Sequence, residues 1–405
     1  MATATTVHEL DLPEIDLFGL DRREGIEQID AVRAQSWLAR MPLGYTVYEY
    51  EDVQAILRDR RFHSAVSLAS AMGVDDIMRR GRETPSILAM EGPEHARLRR
   101  LAAPAFTPKA ADRLRPFMRQ VIDDLLDPFT PTGRIELVAD LCDPYPIPII
   151  CELLGAPKED WKLFSQWATD IFRIFNSDAA EYVDVIQKAG EELDAYVLDM
   201  IAARRTSPAE DLLSDMIAAE EAGDRLSTDE LVMMTEAVLM AGTDTTRNQL
   251  ACAVALFTEH PDQWKLLAED PSLATRAVEE SMRYLGAVRG TARIASEDIE
   301  YKGVVFPTGT LVATSLAGAN MDPDMWPEPQ RFDITREAST QPQMTFGSGI
   351  HFCLGANLAR AELQEALPIL AQRLPDLGTY APVEFKPATV GIWGPSKLPL
   401  SFTAS

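Results

Sequence analysis

The feature that most limits how this chain can fold is a long apolar pattern of helical period across residues 231–257. A Ser-Thr-Asp-Glu run beginning at Ser227 comes directly before the pattern and is a start signal for a helix. A helix of this length spans roughly 40 Å, which is the width of a whole domain. We therefore predict that the chain folds around one central, buried helix.

The rest of the chain is predicted to be mainly α with a minor β portion. Further helical patterns cover residues 51–58, 94–101, 111–126, 181–204, 271–284 and 354–374. Strand-like alternation is limited to residues 45–48, 299–305, 310–314 and 398–402. Because the prolines are scattered and no repeat or linker is visible, we predict a single domain over residues 1–405. About residues 1–40 are expected to form an N-terminal extension that packs on it.

Charge and cysteine usage exclude several classes of protein. The chain has 38 basic and 63 acidic residues, and its net charge of −25 opposes binding to nucleic acid or to an anionic membrane. No secretory signal and no run of ~18 apolar residues is visible, so we expect a soluble, cytoplasmic protein with no membrane contact. The four cysteines form no C-x-x-C pair, which argues against a disulfide framework or a cysteine-rich zinc site.

Residues 346–355 read Phe-Gly-Ser-Gly-Ile-His-Phe-Cys-Leu-Gly and are the most distinctive stretch. A lone cysteine is most simply a small buried apolar residue, but the surroundings of Cys353 favour another interpretation. Gly347 can adopt a positive φ angle and let the backbone approach a flat partner, while Gly355 opens a helical pattern. A thiolate at Cys353 would then face a helix N-terminus and backbone N–H groups, which favour the anion.

A single sulfur ligand restricts the metal centre that this loop can hold. A lone thiolate without neighbouring ligands does not complete a tetrahedral zinc shell, whereas glycine-cleared space suits a flat macrocycle that is ligated from one side. We therefore predict that the chain binds haem through Cys353.

At these residues the sequence resembles the cytochrome P-450 family of haem-thiolate monooxygenases, in its soluble bacterial form. The resemblance recurs in the family's order from about Tyr45 to the C-terminus. It implies the cytochrome P-450 fold, a triangular single domain with haem b (iron protoporphyrin IX) between the long central helix and the cysteine loop. Cys353 would be the proximal iron ligand, whose electron donation favours O–O cleavage, and Phe346, Gly347 and Gly355 would belong to the cofactor-binding loop.

A second motif, Ala-Gly-Thr-Asp-Thr-Thr at residues 241–246, lies within the central helical pattern. Glycine, β-branched and acidic residues are costly in a buried helix, so the motif marks either a benign kink or a functional site. The resemblance favours the site, because this stretch is similar to the family's oxygen-activation sequence. It implies that Gly242 clears space for dioxygen, that Asp244 helps to relay protons and that Thr245 stabilises the activated oxygen.

A third motif pairs Glu280 with Arg283, one helical turn apart. Taken alone, such a pair is ordinarily a surface ion pair of small energy. It is followed by a proline-rich stretch that ends at Arg331, and the arrangement is similar to the family's structural triad. The resemblance implies that Arg331 joins Glu280 and Arg283 and braces the loop behind the cysteine. We expect these three residues to serve folding and haem retention rather than chemistry.

Four cationic residues are candidates for binding the haem propionates. His95 and Arg99 have the spacing that places them on one face of a helix, as an anionic group requires, although a solvated basic face is the alternative. The resemblance adds Arg293 and His351, which match other propionate-contacting positions of the family.

A basic segment lies at residues 94–119, where seven basic and two acidic residues give +5 within a chain of net charge −25. The basic residues are Arg97, Arg99, Arg100, Lys109, Arg113, Arg115 and Arg119. Family members dock their electron donor in this region, so the resemblance implies ferredoxin and ferredoxin reductase as partners. An ordinary charged helix surface is the alternative.

Substrate choice depends on segments with few sequence rules, which by resemblance include residues 66–90, 168–182, 239–243, 286–290 and 392–394. The candidate pocket residues are Ile87, Leu88, Leu239, Val288, Arg289, Ile392 and Trp393. Their mainly apolar character predicts a hydrophobic substrate. Arg289 either pairs with a substrate carboxylate or faces solvent or a propionate. Ala287 stands where family members often have proline, which predicts a differently shaped turn beside the haem.

We therefore expect a monomeric monooxygenase that uses dioxygen and NAD(P)H, receives electrons through separate ferredoxin reductase and ferredoxin, and hydroxylates a hydrophobic small molecule. Two alternatives stay open at this point. One is a haem-thiolate enzyme that is driven by peroxide or works without oxygen, and the other is a haem sensor without catalysis.

Overall fold

The computed structural model of the protein describes residues 5–16, 22–67, 85–176, 179–221, 226–337, 339, 341–387 and 391–404. Its α-helices are α1 (Arg22–Arg33), α2 (Tyr50–Arg58), α3 (Gly92–Ala102), α4 (Pro108–Leu126), α5 (Pro146–Leu154), α6 (Trp161–Phe172), α7 (Val183–Thr206), α8 (Leu212–Glu221), α9 (Thr228–Glu259), α10 (Pro261–Glu269), α11 (Ala274–Tyr284), α12 (Leu316–Asn320) and α13 (Ala356–Arg373). Its strands are β1 (Thr5–Thr6), β2 (Leu38–Met41), β3 (Gly44–Val47), β4 (Phe62–Ser64), β5 (Arg134–Glu136), β6 (Gly290–Ala295), β7 (Ile299–Tyr301), β8 (Val304–Phe306), β9 (Leu311–Ser315), β10 (Gly378–Thr379), β11 (Glu384–Phe385), β12 (Pro395–Lys397) and β13 (Pro399–Ser401).

The predicted central helix is confirmed as α9. Its N-terminus has a capping box, in which the Ser227 hydroxyl accepts the Glu230 N–H at 3.2 Å and the Glu230 carboxylate accepts the Ser227 N–H at 2.8 Å. Most of the helix is buried, and it packs against α5, α6, α7 and α13. It therefore crosses the centre of the helical part of the fold, as its apolar pattern predicts.

The β portion is small and lies mainly in one five-stranded sheet of order β2-β3-β9-β6-β4. Within it β3 and β9 are parallel, and the other neighbours are antiparallel. The predicted strand at residues 299–305 is instead the hairpin of β7 and β8. Lys302 and Gly303 adopt φ angles of 49° and 76° between the two strands, so the chain reverses where a single strand would continue.

The hydrophobic residues form one large core around α9 and a second cluster at the sheet. The second cluster includes Val7, which is fully buried, so the described N-terminal residues pack onto the sheet. Residues 1–4 and 17–21 of the predicted extension lie outside the described part of the chain. The mainly α fold with a minor β portion is confirmed. Among the described helices, none combines the length and apolarity that crossing a membrane requires.

Candidate active site

The loop before Cys353 is held in shape by its own backbone. The Gly347 N–H donates to the Met344 carbonyl at 2.7 Å, and the Cys353 N–H donates to the Phe346 carbonyl at 3.0 Å. Gly347 and Gly349 adopt φ angles of 70° and 72°, the left-handed region that favours glycine. A Cβ at Gly349 would overlap the backbone of α2, whereas the space around the Cβ position of Gly347 is open. The glycines therefore let the loop lie against α2 and leave one side clear.

Cys353 lies just before α13, with Gly355 as the N-cap residue of that helix. Burial raises the pKa of the Cys353 thiol, and the Gly355 N–H together with the guanidinium groups of Arg99 and Arg360 offsets part of this effect. The helix N-terminus and these cations alone therefore do not produce the thiolate that the sequence predicts. A bound metal ion deprotonates a coordinating thiol, so a thiolate at Cys353 depends on the metal.

Three of the predicted propionate-binding residues gather beside this loop. The His95 and His351 rings are 4.6 Å apart between centroids, and Arg99 donates to the Phe352 carbonyl. Burial is the main cause that lowers the pKa of His95, with the nearby His351 and Arg99 adding to it. The structure therefore brings these three side chains together beside the cysteine loop, and their binding to propionates stays a prediction.

Arg293 lies on β6 and is only 4% exposed. Its guanidinium donates to the Ala292 carbonyl at 3.0 Å and to the Thr291 hydroxyl at 3.4 Å, and burial lowers its pKa. Among the described residues no carboxylate lies within the 4 Å of an ion pair with it. A buried cation without a carboxylate partner is costly, so this position suits an anionic group of a bound ligand.

The motif at residues 241–246 is part of the regular helix α9. The Thr245 hydroxyl donates to the Ala241 carbonyl at 2.8 Å, and both residues are more accessible than their buried neighbours Thr243 and Asp244. The expected role of Gly242 needs correction. A Cβ at Gly242 would overlap the Ile150 side chain of α5, so close packing of two helices accounts for this glycine, rather than space for dioxygen.

The structural triad also differs from the expectation. Arg283 forms two hydrogen bonds of 2.8 Å with the buried Glu280 carboxylate. The second guanidinium, and so the third member of the triad, belongs to Arg336, whose Nε lies 3.2 Å from both Glu280 oxygens. The Arg331 side chain is 61% exposed and pairs with Glu328 and Asp333. Arg331 was therefore the wrong arginine, because its side chain points outward and only its carbonyl accepts from Arg283 and Arg336.

The sequence and the fold of this chain are similar to those of known proteins. A family model described as Cytochrome P450 matches residues 43–374. The chain is 36% identical to luteothin monooxygenase of Streptomyces thioluteus, over 99% of this chain and 100% of the relative. It is 42% identical to vitamin D(3) 25-hydroxylase of Pseudonocardia autotrophica, over 73% and 72%. The crystal structure of CalO2 superposes with a TM-score of 0.89 at 31% identity, covering 97% of this chain and 100% of that one.

The chain belongs to the cytochrome P450 family. It is therefore an oxidoreductase whose relatives include monooxygenases, hydroxylases and an N-oxygenase. The family binds haem b through a cysteine thiolate, and this P450 has residues that fit the group. Cys353 would supply the sulfur donor, the glycines leave one side of its loop open, and Arg293 would supply a buried positive charge with no carboxylate within 4 Å among the residues that the structure describes.

The predicted pocket residues of this P450 are only partly brought together. Ile87 packs against the main core, Leu239 is 2% exposed on α9, and Val288 packs against the sheet cluster. Leu88 is 46% exposed, which contradicts its assignment to an apolar pocket. The Ala89 N–H bonds to the Ser86 carbonyl at 2.8 Å, and this turn leaves Leu88 at the surface. Residues 68–84 of the predicted substrate segments lie outside the described part of the chain.

Arg289 and Trp393, from two different predicted substrate segments, contact each other. The Arg289 guanidinium lies 5.1 Å from the centroid of the Trp393 ring, and Phe385 stacks on the same indole at 4.8 Å. Ile392 is half-buried beside them. Burial lowers the pKa of Arg289, whose side chain is partly exposed. Whether Arg289 faces a propionate, a substrate carboxylate or solvent stays a prediction.

The turn at Ala287 shows why proline is absent there. The Ala287 N–H donates to the Gln249 side chain at 2.9 Å, and the Gln249 amide donates to the Leu285 carbonyl at 3.1 Å. The Ala287 carbonyl in turn accepts the Trp393 N–H at 2.9 Å. Proline has no N–H, so it would leave the buried Gln249 oxygen without this donor. Gln249 had no signal in the sequence, because its partners lie far along the chain.

Proposed function

We propose that this P450 is a monooxygenase that inserts one atom of dioxygen into a hydrophobic small molecule, with hydroxylation as the main reaction. The observation that carries the proposal is the pair of Asp244 and Thr245 in α9, with the Thr245 hydroxyl on the Ala241 carbonyl. A proton-handling pair next to the haem is needed when dioxygen is reduced, whereas peroxide brings its protons with it. The names of the relatives, a monooxygenase and a hydroxylase, agree with this proposal.

The roles of the residues follow from their chemistry and position. When bound, haem supplies the redox chemistry through which electrons reach dioxygen. Cys353 would hold the iron, while Arg99, Arg293, His95 and His351 would bind the propionates. Thr245 would hold a proton at its hydroxyl oxygen beside the reacting oxygen. Asp244 would replace that proton from the protein side of the helix.

An optical titration of the ferric protein with steroids, terpenoids, fatty acids and small aromatics tests this proposal first. We expect one class to move the Soret band to shorter wavelength, because a bound substrate would displace water from the haem pocket. That class should then be oxidised with NAD(P)H, ferredoxin reductase, ferredoxin and dioxygen. Product from hydrogen peroxide alone would favour the peroxide-driven alternative. Ligand binding that never stimulates dioxygen consumption would favour the sensor.

The electron donor is proposed to be an acidic ferredoxin that docks beside the cysteine loop. Much of the predicted basic segment is paired in the structure. Arg97 binds Glu94 and Glu230, while Arg115 and Arg119 both bind Glu365. Glu230 and Glu365 lie outside residues 94–119, so they lower the excess positive charge of this surface from five to three. Lys109 and Arg113 remain exposed on α4. This helix packs against α13, the helix that follows the cysteine loop.

Reversing the charge of these two residues should weaken ferredoxin binding. For Lys109→Glu with Arg113→Glu we expect the KM for ferredoxin to rise roughly three- to ten-fold at low ionic strength, with a smaller effect as salt is added. Steady-state reduction of the P450 at several ferredoxin concentrations measures this. Lys188→Glu is the matched control, because Lys188 is 78% exposed on α7. An equal rise for the control, or a rise that salt does not reduce, would exclude docking at this surface.

A further inference from the structure

A partly buried ion cluster surrounds Asp244. The Arg247 guanidinium binds Asp244 through Nη2 and lies 3.4 Å from Asp143 Oδ1 through Nη1. Arg247 also donates to the hydroxyl groups of Ser165 and Thr169 on α6, at 3.3 and 3.0 Å. One arginine therefore holds two carboxylates, and α6 fixes the position of that arginine.

The two carboxylates differ in their access to solvent. The Asp244 side chain is 6% exposed, whereas the Asp143 side chain is 34% exposed. Asp143 follows a π-helical turn at Val138–Cys142, and its N–H donates to the Val138 carbonyl at 2.8 Å. Single π-helical turns of this kind are frequent at functional sites. Asp143 thus connects the buried Asp244 with the surface.

We propose that Asp143 is the solvent-side acid that supplies protons to Asp244, and that Arg247 is the positioning residue that holds the two carboxylates together. Asp143 takes a proton from water and passes it to the Asp244 carboxylate, directly or through one water. The Asp143 carboxylate is regenerated and takes the next proton from solvent, so each transfer moves one proton inward. This inference rests on the proposed function, in which Asp244 relays protons.

The charges that face Asp143 suit this role. They belong to Arg247 and Asp244 on α9, to Lys386 before the Trp393 segment, and to Glu136 on β5. Burial raises the pKa of Asp143, Arg247 and Lys386 lower it, and Asp244 and Glu136 raise it again, with a net increase. A carboxyl group with a raised pKa holds its proton closer to neutral pH, where a relay has to work.

An infrared pH titration of the ferric, haem-loaded protein tests the coupling without any substrate. We expect one carboxyl C=O band that is absent in Asp143→Asn and that titrates above the ordinary Asp range. In Asp244→Asn its midpoint should fall, because a neighbouring negative charge is lost. Asp59→Asn is the matched control, since Asp59 is 26% exposed directly after α2 and pairs with Arg61 instead. A midpoint in the ordinary range, or one that Asp244→Asn leaves unchanged, would overturn the proposal.

Dioxygen consumption with NADH, ferredoxin and ferredoxin reductase then tests the relay itself, in the presence of the panel compound with the largest spectral shift. Asp143→Asn should lower the rate about ten-fold and enlarge the ratio of the rates in H2O and D2O, as Thr245→Ala should. Asp143→Glu should restore most of the rate, and Asp59→Asn should keep it. An unchanged rate and isotope ratio in Asp143→Asn would refute the relay. A wild-type protein that consumes no dioxygen would refute the proposed function, while the infrared titration would still decide the coupling.

Discussion

Replacing Cys353 by alanine should abolish thiolate ligation and lower monooxygenase activity by at least about a hundred-fold, or roughly 2.7 kcal/mol of transition-state stabilisation. The sulfur is the donor that the loop presents, and Ala cannot replace it. The fold should persist, because the loop is held by backbone bonds from Gly347 and Cys353 that do not involve the side chain. The carbon monoxide difference spectrum of the reduced protein, with the activity, measures the loss.

A second cysteine provides the control for this experiment. Cys151 is fully buried on α5, and burial raises the pKa of its thiol to about 12, so it is an inert apolar group. Cys151→Ala should therefore cost about 1 kcal/mol of stability while the haem spectrum stays unchanged. If Cys353→Ala kept the thiolate spectrum, or if Cys151→Ala lost it, Cys353 would not be the ligand.

The parts of this fold that follow from the sequence are those with local causes. The capping box at Ser227 and the apolar pattern after it are sufficient to predict α9. The glycines around Cys353 likewise reveal the loop, since the left-handed φ angles of Gly347 and Gly349 are a property of each residue itself. By contrast α5 is apolar nearly all round, so no periodicity distinguished it from a buried strand.

The errors at the site concern contacts between distant segments. Glycine in a helix is visible in the sequence, but only the packing of α5 shows that Gly242 faces Ile150. The contact of Asp143 was hidden for the same reason, because Arg247 reaches it from another part of the chain. In both cases the residue type is visible in the sequence, but the side chain that it contacts is visible only in the structure.

Arg336, rather than Arg331, binds the buried Glu280 carboxylate. Arg336→Gln should destabilise the protein by about 2–4 kcal/mol, because the buried Glu280 carboxylate loses one of its two cations. The same guanidinium also donates to the carbonyls of Pro327 and Arg331, at 2.6 and 2.7 Å. Its loss should therefore loosen the segment that precedes the cysteine loop. The midpoint of urea unfolding and the rate of haem loss to apomyoglobin measure the two effects.

Arg331→Gln is the matched control, because it removes the same group from the same segment. Its side chain is 61% exposed and its pairs with Glu328 and Asp333 are surface ion pairs, so we expect a change within about 1 kcal/mol. Arg336 is instead 17% exposed and Glu280 4% exposed, so solvent cannot replace the lost interaction. Equal effects of the two substitutions would mean that the Arg336 guanidinium does not carry the stability of this segment. A larger effect of Arg336→Gln on haem loss would tie the buried ion pair to cofactor retention.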